Sequence, residues 1–424
     1  MCWKSGGSRE LCSTQIPLLN DQRSCRIDKS SMEMGIFSVF IKILLLVANV
    51  HGQTPNTDIQ ELVGRSAEFA TALYRKIASS SDDNVAICPL AATLGLASLA
   101  AGARGDTHRE LLQGLGLAPM EKDGEPDRIP LLLQQLREMT SQTVATGLFT
   151  SQQVQAESSF SSEVKKLYDA DVQNVDFANA QAAKANINNF VTSATANKVR
   201  EVVDIVDPQS QLMLISAAYF TGKWQLLFSA NFTQQERFFV NKYHIVQVPM
   251  MFRSDKYYLA YDPSLKVGIL KLPCMDGTAM LVLLPDEDVD YTFIEEALTN
   301  EVFLRWVLKL KKTKLEVQLP KFFLEQTIAL KQSLPSLGIT KIFESGADLS
   351  GISSSPGLKL SEVLHKVSVE IDEKGGSAVP VSDSPFMDTL PPRLTFNRPF
   401  LFLIYHEATK TLLHMGRVVD PTKK

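Results

Sequence analysis

The sequence predicts an α+β fold, on three observations. Helical spacing of apolar residues dominates the first half of the chain. Short apolar runs of strand character dominate the second half. Nothing alternates in the regular strand–helix–strand manner of a parallel α/β sheet. In the first half, Phe69, Leu73 and Ile77 recur at every fourth position and share one helix face. Leu94 to Ala101 is a second helical stretch, with small residues suited to close packing. A third follows Asp106, with Leu111, Leu112 and Leu115, and a fourth runs from Pro126 to Met139 with Leu131, Leu132 and Leu133 as its core. In the second half, Val267 to Leu272 and Met280 to Leu284 are short apolar runs each ended by Pro. Leu315 to Leu319 alternates with period two, the mark of a half-buried strand. Phe400 to Ile404 and Thr411 to Val418 flank a polar turn and predict a hairpin.

The chain has 424 residues, 45% hydrophobic and 21% charged, with a formal net charge of −4. That balance belongs to a globular protein and excludes the basic surface that general nucleic-acid binding requires. The run Ile36 to Val50 carries Lys42 and is shorter than the roughly 20 residues a membrane span needs. Val50-His51-Gly52 follows it and suits cleavage before Gln53, so residues 1–52 read as an upstream segment with a secretory signal and 53–424 as one domain. Met32 and Met34 are alternative starts for such a signal. Cys2, Cys12 and Cys25 then fall in the removed part, leaving Cys88 and Cys274, too few for a disulfide framework. Asn231-Phe232-Thr233 is a glycosylation acceptor, consistent with a secreted glycoprotein.

Catalytic chemistry finds no motif. The metal-binding H-E-x-x-H, the C-x-x-C pair, the phosphate-cradling loop and the nucleophile elbow are all missing, so no catalytic or metal site and no cofactor is assigned. His51 belongs to the signal, His108 falls on a helix surface, and His365 lies in a strand-like stretch as a core histidine. The apolar setting of Cys88 raises its pKa and leaves it inert. Lys309, Lys311, Lys312 and Lys314 read either as a solvated face or as a site for a heparin-like sulfated glycan. From Glu373 to Phe400 the chain is rich in Gly, Ser, Pro and Asp. A long segment of this kind between two strands is either functional or floppy.

Several ordered blocks resemble the serpin family. Phe396-Asn397-Arg398-Pro399-Phe400-Leu401-Phe402-Leu403-Ile404 is similar to the serpin signature that follows the reactive loop. Ser361 to Lys366 and Glu370 to Gly375 resemble the strand that feeds the loop hinge. Leu214 to Trp224 resembles a central sheet strand ending in the family's buried Trp224, and Ile187 to Val191 with Lys198, and Val248 to Met251, match two further blocks. The resemblance runs from about Glu68 to Pro421. Within the family, Asn241 to Met251 and Ile269 to Pro273 are most similar to the antitrypsin-type plasma group and its protein Z-dependent inhibitors. Tyr243 then matches a tyrosine that grips protein Z, or else is a half-buried strand tyrosine.

The resemblance implies the serpin fold: three β-sheets, about nine helices, and an exposed reactive-centre loop at about 374–394. It implies a secreted, extracellular monomer of plasma that binds no nucleic acid or membrane. This chain would inhibit a serine protease, of coagulation in the protein Z-dependent branch, by acyl-enzyme trapping and loop insertion, with protein Z and a sulfated glycan as activators. The hinge would be Glu373, Gly375, Gly376, Ser377, Ala378 and Pro380. Small Gly376, Ser377 and Ala378 permit entry, whereas Pro380 lacks the N–H a central strand needs. An unpaired partner carbonyl costs about 1–3 kcal/mol. The loop is one residue shorter than the resemblance calls for. Counting from Glu373 puts the scissile-bond residue (P1) at Thr389, before Leu390; counting back from Phe400 puts it at Asp388. Phe386 and Met387 are alternative cleavage sites for a chymotrypsin-like pocket. Around the region where the sheet opens, Cys88 and Ala91 stand where the family has Ser, and Ser216 where it has Asn, beside Trp224 and His365. These departures predict a weaker polar lock. A non-inhibitory serpin serving as carrier or binding protein is the alternative that Pro380 and the short loop favour.

Overall fold

The computed structural model describes residues 57–373 and 391–424. The expectations for residues 1–56 and for Gly375, Gly376, Ser377, Ala378, Pro380, Phe386, Met387, Asp388, Thr389 and Leu390 lie outside them.

Helix α1, Thr57–Ala78, buries Ile59, Leu62, Phe69, Leu73 and Ile77 along one stripe, as the spacing predicts. Strand β1, Val85–Ile87, leads into α2, Pro89–Gly102, where Pro89 occupies the first turn and forfeits no helical bond. Helix α2 is buried almost all round. Its small residues permit this: a Cβ on Gly95 would stand 3.2 Å from the Leu214 side chain. Helices α3, Gly105–Gly114, and α4, Arg128–Thr140, follow. Leu132 and Leu133 of α4 are buried, but Leu131 is 47% exposed, against expectation. Three successive helical residues sweep about 200°, wider than the one face that α4 buries. His108 of α3 bonds Ala100 O and Glu121 at the surface.

Strand β2, Thr143–Ser151, precedes α5, Ser158–Tyr168, β3, Ala170–Val175, and α6, Ala180–Ala194, which Asn179 caps. Strand β4 is Leu212–Thr221, β5 Gln234–Phe239, β6 Ile245–Asp262, β7 Val267–Pro273 and β8 Thr278–Pro285. Helices α7, Tyr291–Ala297, and α8, Asn300–Lys309, carry Asp290 and Thr299 as caps. Strands β9, Lys311–Pro320, β10, Phe322–Ala329, β11, Glu362–Ile371, β12, Arg393–Thr395, β13, Phe400–His406, and β14, Leu412–Val418, complete the chain. The described residues hold eight α-helices.

One sheet has five strands in the order β10-β11-β4-β2-β3. The other has nine, in the order β1-β14-β13-β8-β7-β6-β9-β12, with β5 also on β6. The 18-residue β6 joins two sections of that sheet: Ile245–Met250 pairs β5, Met250–Leu259 pairs β9, and Tyr258–Asp262 pairs β7. Three sheets are thus recognisable, two of them fused through one long strand. The expected hairpin is β13–β14, and β9 shows the expected alternation at Leu315, Val317 and Leu319. Helix α2 packs between β4 and β14, so the main core lies between the sheets. A second core, built from α6 and residues 195–206, covers the outer face of β2 and β4.

His414 of β14 sits in the main core beside the ring of Phe220, and neither ring nitrogen has a partner. Burial, with His365 nearby, pushes its pKa down to about 3. The unfolded chain takes up this proton near the ordinary pKa of about 6.5, the folded chain only near 3. Between those values the unfolded state binds more protons, so this histidine's contribution to stability falls as pH is lowered through that window. His414→Phe should therefore reduce the loss of unfolding free energy between pH 7 and pH 4.5 by roughly 2 kcal/mol, measured by urea denaturation. Equal losses in wild type and variant would show that His414 is not the group responsible.

Candidate functional site: the seam beside the loop base

Strands β4 and β11 are parallel neighbours at the centre of the five-stranded sheet, Met213–Thr221 lying against Glu362–Glu370. Each has an antiparallel partner on its other side, β2 for β4 and β10 for β11. Parallel neighbours need a long crossover, and here the connection passes through most of the nine-stranded sheet. Residues 374–390, outside the described residues, follow β11 and Glu373 in the sequence. A segment turning back there and running between β11 and β4 would be antiparallel to both.

Side chains stitch this seam on both faces. On the inner face Ser216 and His365 stand directly opposite and bond at 2.8 Å. The backbone N–H of Cys88 donates to His365 Nε2 at 3.0 Å, which leaves the proton on Nδ1 to be donated to Ser216 Oγ. Full burial pushes His365 down to about 4, so it stays neutral at physiological pH. These two bonds link Cys88, His365 and Ser216 across the seam. The Cys88 backbone supplies the bond, and the residue's own side chain is not asked for one. Burial also pushes the Cys88 thiol up to about 12. On the outer face the Tyr219 hydroxyl donates to Glu370 at 2.6 Å, a bond the sequence reading missed. Burial, then this carboxylate, pushes the Tyr219 hydroxyl up to about 12.

At the end of the seam Trp224 Nε1 donates to Asp372 O at 2.9 Å. Its ring packs under Gly222, where a Cβ would stand 2.5 Å away. Thr233 Oγ1 donates to Glu373 at 2.7 Å, and Lys321 Nζ forms an ion pair with it at 2.6 Å. Partial burial opposes the charge on Glu373, but Lys321 and Thr233 hold its carboxyl below the usual range. Asn231 is exposed in the turn Ala230–Phe232, so the acceptor triplet lies beside the loop base through Thr233.

The remaining candidates lie elsewhere. Tyr243 is 86% exposed in the turn between β5 and β6, not half buried in a strand. The lysines do not form one cluster. Lys309 ends α8, and Lys311 points to the opposite face of β9 from Lys312 and Lys314. Across the strands Lys314 faces Lys256, while Lys312 and Lys271 both face Tyr258. Their ammonium groups lie 5.9 and 5.3 Å from that ring. The basic face is thus Lys256, Lys271, Lys312 and Lys314 around Tyr258, with Lys271 also paired to Glu407. Among the described residues no group of His, Cys, Asp and Glu could hold a metal, and no helix is long and apolar enough to cross a membrane.

The family profile for Serpin (serine protease inhibitor) matches residues 65–421. Mouse protein Z-dependent protease inhibitor is 32% identical over 371 residues, 86% of this chain and 83% of the relative. Its crystal structure superposes with a TM-score of 0.80 at 30% identity, covering 86% of this chain and 98% of that one. Alpha-1-antiproteinase S of Cavia porcellus is 36% identical over 372 residues, 86% of this chain and 92% of the relative. Human thyroxine-binding globulin complexed with thyroxine superposes with a TM-score of 0.79 at 28% identity, covering 86% of this chain and 99% of that one. This chain belongs to the serpin family of serine protease inhibitors, which are not themselves enzymes.

Proposed function

We propose that this chain is a secreted inhibitor that traps a serine protease as an acyl-enzyme while the loop inserts between β4 and β11. The parallel seam carries the reading. One parallel contact would become two antiparallel ones, which bond slightly better per residue and bury a further strand. That gain is the driving force that distorts the captured protease before deacylation. Gly376, Ser377 and Ala378 are small enough to lead the insertion. Pro380 adds a local penalty by its missing N–H. Residues 1–52 act as the removed leader, 53–424 as the functional monomer, and Asn231 as the glycan acceptor. Similarity to the protein Z-dependent inhibitor and the exposure of Tyr243 support protein Z as activator and a coagulation protease as target. The lysine face around Tyr258 is the position for a sulfated glycan. The second reading, a non-inhibitory carrier, is favoured by Pro380, by the short loop and by the likeness to thyroxine-binding globulin.

A panel of serine proteases separates the two readings. Asp388 at P1 needs a cationic pocket and Thr389 fills most pockets poorly, so trypsin-like enzymes should not cut between Val381 and Thr389. Chymotrypsin-like enzymes should cut near Phe386 or Met387. An inhibitor gives a denaturant-stable complex with a released peptide starting at Thr389 or Leu390. A single clean cleavage should also raise the melting temperature sharply. Cleavage with no complex and an unchanged melting curve, with cofactors present, would establish the carrier.

The glycan position is tested on immobilised heparin. Combined Lys256→Ala, Lys312→Ala and Lys314→Ala should lower the eluting salt concentration and flatten its salt dependence, while Lys309→Ala with Lys311→Ala changes it less. Equal losses from both sets, or no wild-type retention at low salt, would remove this face from the mechanism.

A further inference from the structure

We infer that the hydrogen bond between Tyr219 and Glu370 is a staple that sets how readily the seam between β4 and β11 parts. The bond runs diagonally across the seam. Tyr219 stands opposite Ser368, and Glu370 lies two residues further along the same face of β11. A phenol donating to a carboxylate is a charge-assisted bond, stronger than an amide–carbonyl one. Its 2.6 Å length fits that class. It bridges two strands whose backbone contact is parallel, the weaker of the two pairing modes.

The surroundings fix the tyrosine in place. The residue is only 8% exposed and forms the edge of the core beneath α6. The ammonium of Lys198 lies 5.1 Å from its ring centroid. Lys198 is itself presented by a rigid turn, because Thr195 Oγ1 bonds Val191 O and Val199 O and accepts from Val199 N. Where this core ends, the outer face of the sheet opens into a groove of about 580 Å³, lined by Lys198, Tyr219, Phe323, Glu325, Lys366 and Glu370. The staple therefore closes the seam on its outer face, as Ser216 and His365 close it on the inner face. Parting from the loop base would release Glu373 first, then the Trp224 bond, then the staple, and the His365 bond last.

Tyr219 and Glu370 act here as positioning residues of the trapping reaction, and their role in it rests on the inhibitor reading. The test does not. Hydrogen exchange followed by mass spectrometry is measured on wild type, Tyr219→Phe, Glu370→Ala and the double variant. Each single variant should speed exchange of segments 212–221 and 362–371 about tenfold. The double variant should be no faster than the faster single one, because both changes break the same bond. Segment 170–175, in the β3 edge strand, should be unaffected. Unchanged exchange at the seam, additive effects, or acceleration across the whole protein would overturn the staple. A normal protease complex with unchanged exchange would sink the staple alone. Accelerated exchange in a protein that forms no complex would keep the staple and sink the inhibitor reading.

Discussion

The parallel contact between β4 and β11 is the constraint on which the rest of this structure depends. Both strands have their backbone groups paired on either side, so the seam itself carries no row of orphaned donors. It is a satisfied sheet, yet not the best sheet this topology allows. A strand between the two would convert a parallel ladder into antiparallel ones. Reaching that arrangement means breaking the whole seam first. The barrier is therefore set by what crosses the seam, and the final gain by the sheet that results. These two quantities are independent, which is how a protein can hold a large driving force in reserve.

What crosses the seam differs between its faces. The inner bond of His365 is buried and lies against α2 through the Cys88 backbone. Removing either partner would leave a buried polar group unpaired, which costs more than the bond itself contributes. The donor from Cys88 belongs to the chain at the start of α2, so it survives any side chain at that position. A bond from the backbone does not depend on which side chain stands at 88. The core behind the inner face is held by a second buried node. Arg417 of β14 pairs with Glu295 at 2.8 Å, and Glu295 accepts from Tyr74 of α1. Arg417 also caps the carbonyls of Ser81 and Asp83. That node fixes α1, α7 and β14 together, so opening of the sheet need not loosen the helices behind it.

Local pattern made the helices and the β13–β14 hairpin legible in the sequence, because period 3.6 and period 2 are properties of neighbours along the chain. It failed at Leu131, where a run of three apolar residues exceeds one helix face. It also could not divide the strands among sheets, since β6 has no breaker between Met250, where β5 ends, and Tyr258, where β7 begins. The buried place of His365 was legible through ordered blocks of residues. The lysine face was not: strand register decides that Lys314 faces Lys256 and that Lys311 turns away. The Tyr219–Glu370 bond was hidden for the same reason. The two residues are separated by 151 positions, and only the parallel register of β4 and β11 brings them within reach.

Trapping is a race between strand entry and deacylation, and two steps lie in series on the entry side. The seam must part, and the hinge must then seat its backbone in the ladder. On the inhibitor reading Lys321, Thr233, Trp224, Tyr219 and His365 would act on the first step, and Pro380 on the second. In a series, lowering the smaller barrier changes the rate little. The seam side chains govern the outcome only if parting is the slower step, and Pro380 governs it only if seating is. A chain that combines a tight seam with a proline in its hinge is slow on both counts. On the inhibitor reading it would stand near the boundary between inhibitor and substrate, on whichever side its larger barrier sets. In that reading the position on the boundary is a matter of a few hydrogen bonds, because a change of about 1.4 kcal/mol in the larger barrier shifts the race tenfold.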